Sequence, residues 1–151
     1  MTRPVPARPA HLVRRFFGSL STAEPTEADL AWARSQLMPQ EFDHWRAMTV
    51  QDRRHSIIVA HRFAQAAPAT GRAALAGALL HDVGKQAARL GTFGRVAATL
   101  LGPRTDRLRR YHDHEALGAA LLARTGSEPG TVDLVAGRGP WVDALRAADD
   151  V

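Results

Sequence analysis

His81 and Asp82 stand side by side in Ala78-Leu79-Leu80-His81-Asp82-Val83-Gly84-Lys85. This apolar segment delivers an imidazole, a carboxylate and an ammonium within five residues. Burying a histidine or an aspartate without a partner is costly, so a plain core helix has little use for the pair directly after Leu-Leu. Both groups can sit at the inner end of such a helix cheaply if they bind a metal ion together. Consecutive residues on an α-helix point about 100° apart, so the two reach one ion only near a helix end. Gly84 is expected to make that end, closing a helix over 72–83.

A third ligand must come from elsewhere. His55 is the leading candidate, because its helix is joined to the His81 helix by the short turn Pro68-Ala69-Thr70-Gly71 and the two should pack antiparallel. His61 competes, but it lies about 240° around the same helix from His55, so both cannot face one ion. A fourth ligand is Asp149 or Asp150. Those carboxylates would place negative charge at a helix C-terminus, which the macrodipole disfavours and a bound cation would offset. With no cysteine in the chain, thiolate ligands and disulfides are excluded. A metal would be held by His, Asp and Glu, which favours Mn, Fe, Mg or Zn without choosing among them. Lys85 is the only lysine. It could meet a phosphate oxygen as a point charge, or simply be a cation favoured near a helix C-terminus.

Order and context sharpen this set. Arg53-Arg54-His55-Ser56, then Leu79-Leu80-His81-Asp82-Val83-Gly84-Lys85, then Ala148-Asp149 resemble the HD-domain metal-dependent phosphohydrolase superfamily, whose pattern runs H…HD…D. The resemblance covers roughly residues 50–151. It implies an all-α fold, a metal centre held by His55, His81, Asp82 and Asp149, and hydrolysis of phosphoester or phosphoanhydride bonds, usually in nucleotides. The ion would be one divalent metal (Mn, Fe, Mg, Co, Ni or Zn). Such a cation lowers the pKa of a water it binds and polarises a phosphoryl oxygen, and Asp82 could accept a proton from that water. Asp82 and Lys85 are therefore the expected catalytic residues.

Several members of that family hold a second metal with further histidines. Here His112-Asp113-His114-Glu115, followed by Gly118-Ala119, is similar to the family's H-x-E-x-G-A stretch in register at His114 and Glu115. Asp113 is equally a helix N-cap. The family's next histidine falls where this chain reads Val135-Ala136-Gly137-Arg138-Gly139. Without it a full two-metal set is not expected. The site is then mononuclear, or its second ion is weak, or Arg138 replaces the ion as a phosphate-binding charge, with His114 and His112 as further contacts.

The elements that must position these groups read as all-helical, in a single compact multi-helix bundle. The chain has 151 residues, 45% hydrophobic and 23% charged, enough for one domain with a real core. Residues 1–9 form a proline-rich flexible N-terminal arm, 10–49 are N-terminal helices packed on the domain, and 50–151 form the HD-type domain. Short helices are expected over 11–20, from Thr26 to Met38, from Pro39 to Trp45, and at 93–101, 113–124, 130–137 and 141–150. Thr49-Val50-Gln51-Asp52 caps a strong helix over 50–66, and Thr70 should cap the next. Trp32, Phe42 and Trp45 belong in the core rather than in the pocket wall.

The net charge of +5 does not indicate a nucleic-acid partner. Four of the arginines (Arg3, Arg8, Arg14, Arg15) crowd the first twenty residues, and no zinc-finger, RNP or basic-zipper pattern is present. Nothing reads as a membrane span or a secretory signal, so the expected location is cytoplasmic. The expected partner is a small phosphorylated substrate, a nucleotide first, with a homo-oligomer left open. Two other functions compete with the hydrolase. One is a catalytically reduced HD-fold module that binds a nucleotide or a protein without turnover. The other is a structural helical protein with histidines satisfied in its core.

Overall fold

The computed structural model describes residues 22–89 and 106–150, with side chains described over 22–86 and 113–150. The arm at 1–9 and the helices expected at 11–20 and 93–101 lie outside these residues. Among the described residues there are eight helices and no strand. In chain order they are α1 (Glu27–Gln36), α2 (Pro39–Arg46), α3 (Val50–Ala66), α4 (Gly71–Leu80), α5 (Val83–Arg89), α6 (Asp106–Arg124), α7 (Pro129–Val135) and α8 (Val142–Asp149). No helix among them is long and apolar enough to cross a membrane.

Two helix starts are set by threonines. The Thr26 hydroxyl accepts the Asp29 amide at 3.1 Å and donates to the Asp29 carboxylate at 2.8 Å. Thr49 repeats this with Asp52, at 3.1 and 2.7 Å. Each cap satisfies an amide that the first helical turn leaves unpaired and contributes about 1 kcal/mol. α2 opens instead on Pro39, whose missing N–H costs nothing at the first helical position. The expected cap at Thr70 does not form. Its backbone is already helical, at φ −74° and ψ −23°, and its side chain makes no capping bond. Gly71 supplies the turn instead, in the left-handed region at φ +80°.

α4 is the central element. Ala74, Ala76, Gly77, Ala78, Leu79 and Leu80 are all buried, and a helix that is apolar on every side must have neighbours on every side. It packs on α3 and α7 and also touches α1 and α2. Small residues let those neighbours approach. A Cβ on Gly77 would stand 3.0 Å from Leu134 Cδ2 on α7. One hydrophobic core runs from Ala33 to Ala148 and includes Trp45, Phe63, Leu79, Leu80 and Leu122. α5 lies along α6, and α8 packs on α3. The ends of α3, α4 and α8 that carry chemistry thereby meet.

An ion pair between the buried carboxylate of Glu41 and the half-buried Arg72 locks the N-terminal helices onto this core. Glu41 is fully buried, and its Oε2 accepts the Met38 amide at 2.8 Å and Arg72 Nη1 at 3.1 Å. Arg72 also donates to the Gln36 carbonyl at 3.1 Å and, through Nε, to Glu128 at 3.0 Å. Removing one partner of a buried pair strands the other's charge. Arg72→Ala should therefore cost about 3 kcal/mol, read as a lower urea midpoint with an unchanged slope.

The helix expected over 72–83 ends earlier and for another reason. α4 stops at Leu80, His81 and Asp82 form a turn, and α5 begins at Val83. Gly84 is no terminator: it lies inside α5, and its φ is not positive. Its lack of a side chain serves packing. A Cβ there would stand 1.7 Å from the His114 carbonyl oxygen and 2.9 Å from the Gly118 amide nitrogen. Glycine is what lets α5 lie directly on the α6 backbone.

Candidate metal centre

His81 and Asp82 occupy the joint between α4 and α5, where two consecutive side chains can turn toward one point. The His81 ring is oriented by its own helix, with Nδ1 2.8 Å from the Ala78 carbonyl. A carbonyl accepts only, so Nδ1 carries the proton and Nε2 of the neutral ring presents a lone pair. That Nε2 is buried and has no hydrogen-bond partner. The Asp82 and Asp149 carboxylates approach it to 3.5 and 3.7 Å, beyond hydrogen-bonding reach. A buried polar atom left unsatisfied costs about 1–3 kcal/mol. An imidazole held through its other nitrogen by a backbone carbonyl is also the usual arrangement of a metal-ligating histidine.

The partners come from α3 and α8. His55 is in the second turn of α3, with its ring edge-on to the His81 ring at 5.7 Å between centroids. Its Nε2 lies 2.6 Å from Asp149 Oδ1. Ligand atoms of His55, His81 and Asp82 all fall within 4.8 Å of one another, so this group could hold a metal ion. The electrostatics suit a cation. The neighbouring His55 and His81 hold the Asp149 carboxyl far below the usual carboxylate range. Burial opposes the charge of His81, but Asp149 and Asp82 outweigh it and raise its pKa. Positive charge is thus favoured among the ring nitrogens and carboxylates, and a divalent ion would supply it while displacing the protons.

The centre opens into a cavity of about 220 Å³. Besides the four residues above, Lys85, His114, Glu115 and Arg146 bring polar groups to its lining. Lys85 Nζ is 2.7 Å from Asp82 Oδ2 and 3.9 Å from Asp52 Oδ1. The lysine therefore braces the carboxylate next to His81 and also reaches the α3 cap.

Other expectations separate cleanly. His61 faces away and stacks on Trp32, with ring centroids 3.9 Å apart. Trp45 is fully buried and its indole N–H donates to Ser56 Oγ at 2.9 Å, while Phe42 stacks beside it. None of the three aromatics lines the cavity. Asp150 is exposed and lies outside the cavity lining. Arg138 is also exposed and absent from that lining, and its guanidinium is held by Asp133 at 2.9 Å. The turn that carries it points it at its own helix, so it does not stand in for a missing ion. Among the described residues, His55, His81 and Asp82 are the only metal-sized group. Asp149 and His114 line the same cavity but are not part of that group. His112 lies on α6, but its side chain is outside the described residues.

Two residues at the site escaped the sequence reading. Arg146 lies one turn before Asp149 on α8 and shares its face, a signal available from helical spacing alone. Asp52, taken only as a cap partner, also approaches Lys85. No protein-family model matches the chain, and comparisons with curated proteins and with solved structures likewise find no match.

Proposed function

We propose that this protein is a metal-dependent phosphohydrolase of the HD type, acting on a small phosphorylated compound such as a nucleotide. The observation that carries this reading is the buried, unpartnered His81 Nε2 beside the ligand atoms of His55 and Asp82, in a cavity that Asp149, Lys85 and Arg146 also line. The order H…HD…D and the Leu-Leu-His-Asp-Val-Gly-Lys context support it. His55, His81, Asp82 and Asp149 would hold the ion. When bound, a divalent cation supplies Lewis acidity to a phosphoryl oxygen and a more acidic water.

The chain's own residues do the rest. Lys85 fixes the Asp82 carboxylate through the 2.7 Å contact, so that Asp82 is positioned to accept a proton from an attacking water. Ala78 holds the His81 tautomer. At about 220 Å³ the cavity is smaller than the roughly 300–1,000 Å³ of sites that bury a whole small molecule. It therefore takes the phosphoryl end and leaves the remainder of a nucleotide outside.

The test is phosphate release from a panel of nucleoside monophosphates and simple phosphate esters by protein loaded with Mn²⁺, Fe²⁺, Co²⁺, Ni²⁺, Mg²⁺ or Zn²⁺. Release that stops with chelator and returns with metal is the expected result. Retained metal and bound nucleotide with no release from any substrate would favour the binding module instead.

A further inference from the structure

The cavity has two cationic side chains, and they are not equivalent. Lys85 is committed to Asp82 and Asp52, at 2.7 and 3.9 Å. Arg146 is an exposed residue of α8 that lines the same cavity, and among the described residues no hydrogen bond or ion pair holds its guanidinium. Its surroundings keep space for it. Gly137 sits in the left-handed region at φ +74°, and a Cβ there would stand 2.9 Å from Glu115 Oε2 and 3.7 Å from Arg146 Nη2. A larger residue at 137 would be strained by its backbone and would press on the wall that carries both charges. Arg146 also shares a helix face with Asp149, which binds His55 at 2.6 Å. One rigid helix thus carries both a candidate metal ligand and an uncommitted guanidinium into one small cavity.

We infer that Arg146 is the substrate anchor of this site and selects a terminal phosphate, the dianionic group of a phosphate monoester, over an internal diester. A guanidinium offers a planar fork of donors that matches two phosphate oxygens at once. A terminal phosphate presents three non-bridging oxygens, enough to meet both the fork and the metal centre. An internal diester presents two oxygens and a single charge, and both of its ester arms would have to pass through the cavity mouth. The inference rests on the phosphohydrolase reading for the identity of the anion.

Calorimetric titration of inorganic phosphate into the Mn²⁺-loaded full chain tests it. Arg146→Gln should weaken phosphate binding about tenfold or more, the effect of losing one charge-assisted hydrogen bond. Arg146→Lys, which keeps the charge and loses the fork, should fall between that variant and the wild type. Arg138→Gln, outside the cavity, should bind like the wild type, and metal content should be equal in all four proteins. Unchanged binding in Arg146→Gln, equal weakening in Arg138→Gln, or no phosphate binding by the wild type would overturn the assignment. Turnover separates the two layers of argument. Hydrolysis of p-nitrophenyl phosphate with an unchanged KM in Arg146→Gln overturns the anchor and leaves the hydrolase. Arg146-dependent phosphate binding without any turnover overturns the hydrolase and leaves the anchor.

Discussion

Replacing His81 by alanine should remove metal from the protein and lower phosphate release at least a hundredfold, without weakening the metal-free fold. The first part follows from position. Even residues that only orient a ligand cost roughly 10–100-fold in metal affinity or activity when lost, and His81 would be a ligand itself. The second part is less usual for a residue whose side chain is only 11% exposed. Its Nε2 is an unsatisfied buried atom in the absence of metal, so truncation removes a standing penalty of about 1–3 kcal/mol along with some packing. The two contributions nearly cancel. Added metal should raise the melting temperature of the wild type, by about 2.7 kcal/mol of stability at a hundredfold excess over Kd, and leave His81→Ala unmoved. A His81→Ala protein that melts well below metal-free wild type, while still gaining stability from metal, would mark His81 as an ordinary core residue.

Gly84→Ala should be the most disruptive glycine-to-alanine exchange among the described residues. In an exposed helix interior the same exchange would stabilise by about 1 kcal/mol. Here the new Cβ would meet three backbone atoms of α6: His114 O at 1.7 Å, His114 C at 2.7 Å and Gly118 N at 2.9 Å. Backbone cannot rotate out of the way as a side chain can, so α5 must lift off α6. That movement would carry Asp82 and Lys85 away from His114 and Glu115 and open the cavity. Overpacking in a well-filled core costs about 1–3 kcal/mol and occasionally more, and this case belongs at the upper end. The other glycines form a graded series. Gly118→Ala would meet one backbone atom, Gly84 N, and the Val83 and Val135 side chains, all at a milder 3.1 Å, and Gly130→Ala meets Ala73 Cβ at an ordinary 3.4 Å. Urea midpoints should fall steeply for Gly84→Ala, less for Gly118→Ala, and not at all for Gly130→Ala. Equal midpoints for Gly84→Ala and Gly130→Ala would refute the packing account.

What the sequence made legible was whatever depends on neighbours along the chain. Thr26 and Thr49 cap α1 and α3 because a hydroxyl three residues before an aspartate can bond only locally. The all-helical character followed from apolar spacing, and the geometry of a single helix was enough to say that His55 and His61 cannot share an ion. What was not legible depended on other helices. Gly84 looks like a helix stop, because glycine usually plays that part, yet here it answers to the backbone of His114, thirty positions away. Thr70 has the composition of a cap but not the extended backbone that a cap needs. Arg138 and Arg146 are indistinguishable by type. Only the fold turns one toward Asp133 and the other into the cavity. The candidate ligands were readable because a polar pair after Leu-Leu demands explanation whatever surrounds it.

The central claim is that His55, His81, Asp82 and Asp149 together hold a metal ion. Elemental analysis of the purified protein, paired with the same measurement on His55→Ala, tests it most directly. About one divalent ion per chain in the wild type, lost in His55→Ala, is the predicted result. Wild-type protein that carries no ion and takes none up on loading, or a His55→Ala variant with undiminished metal, would contradict it.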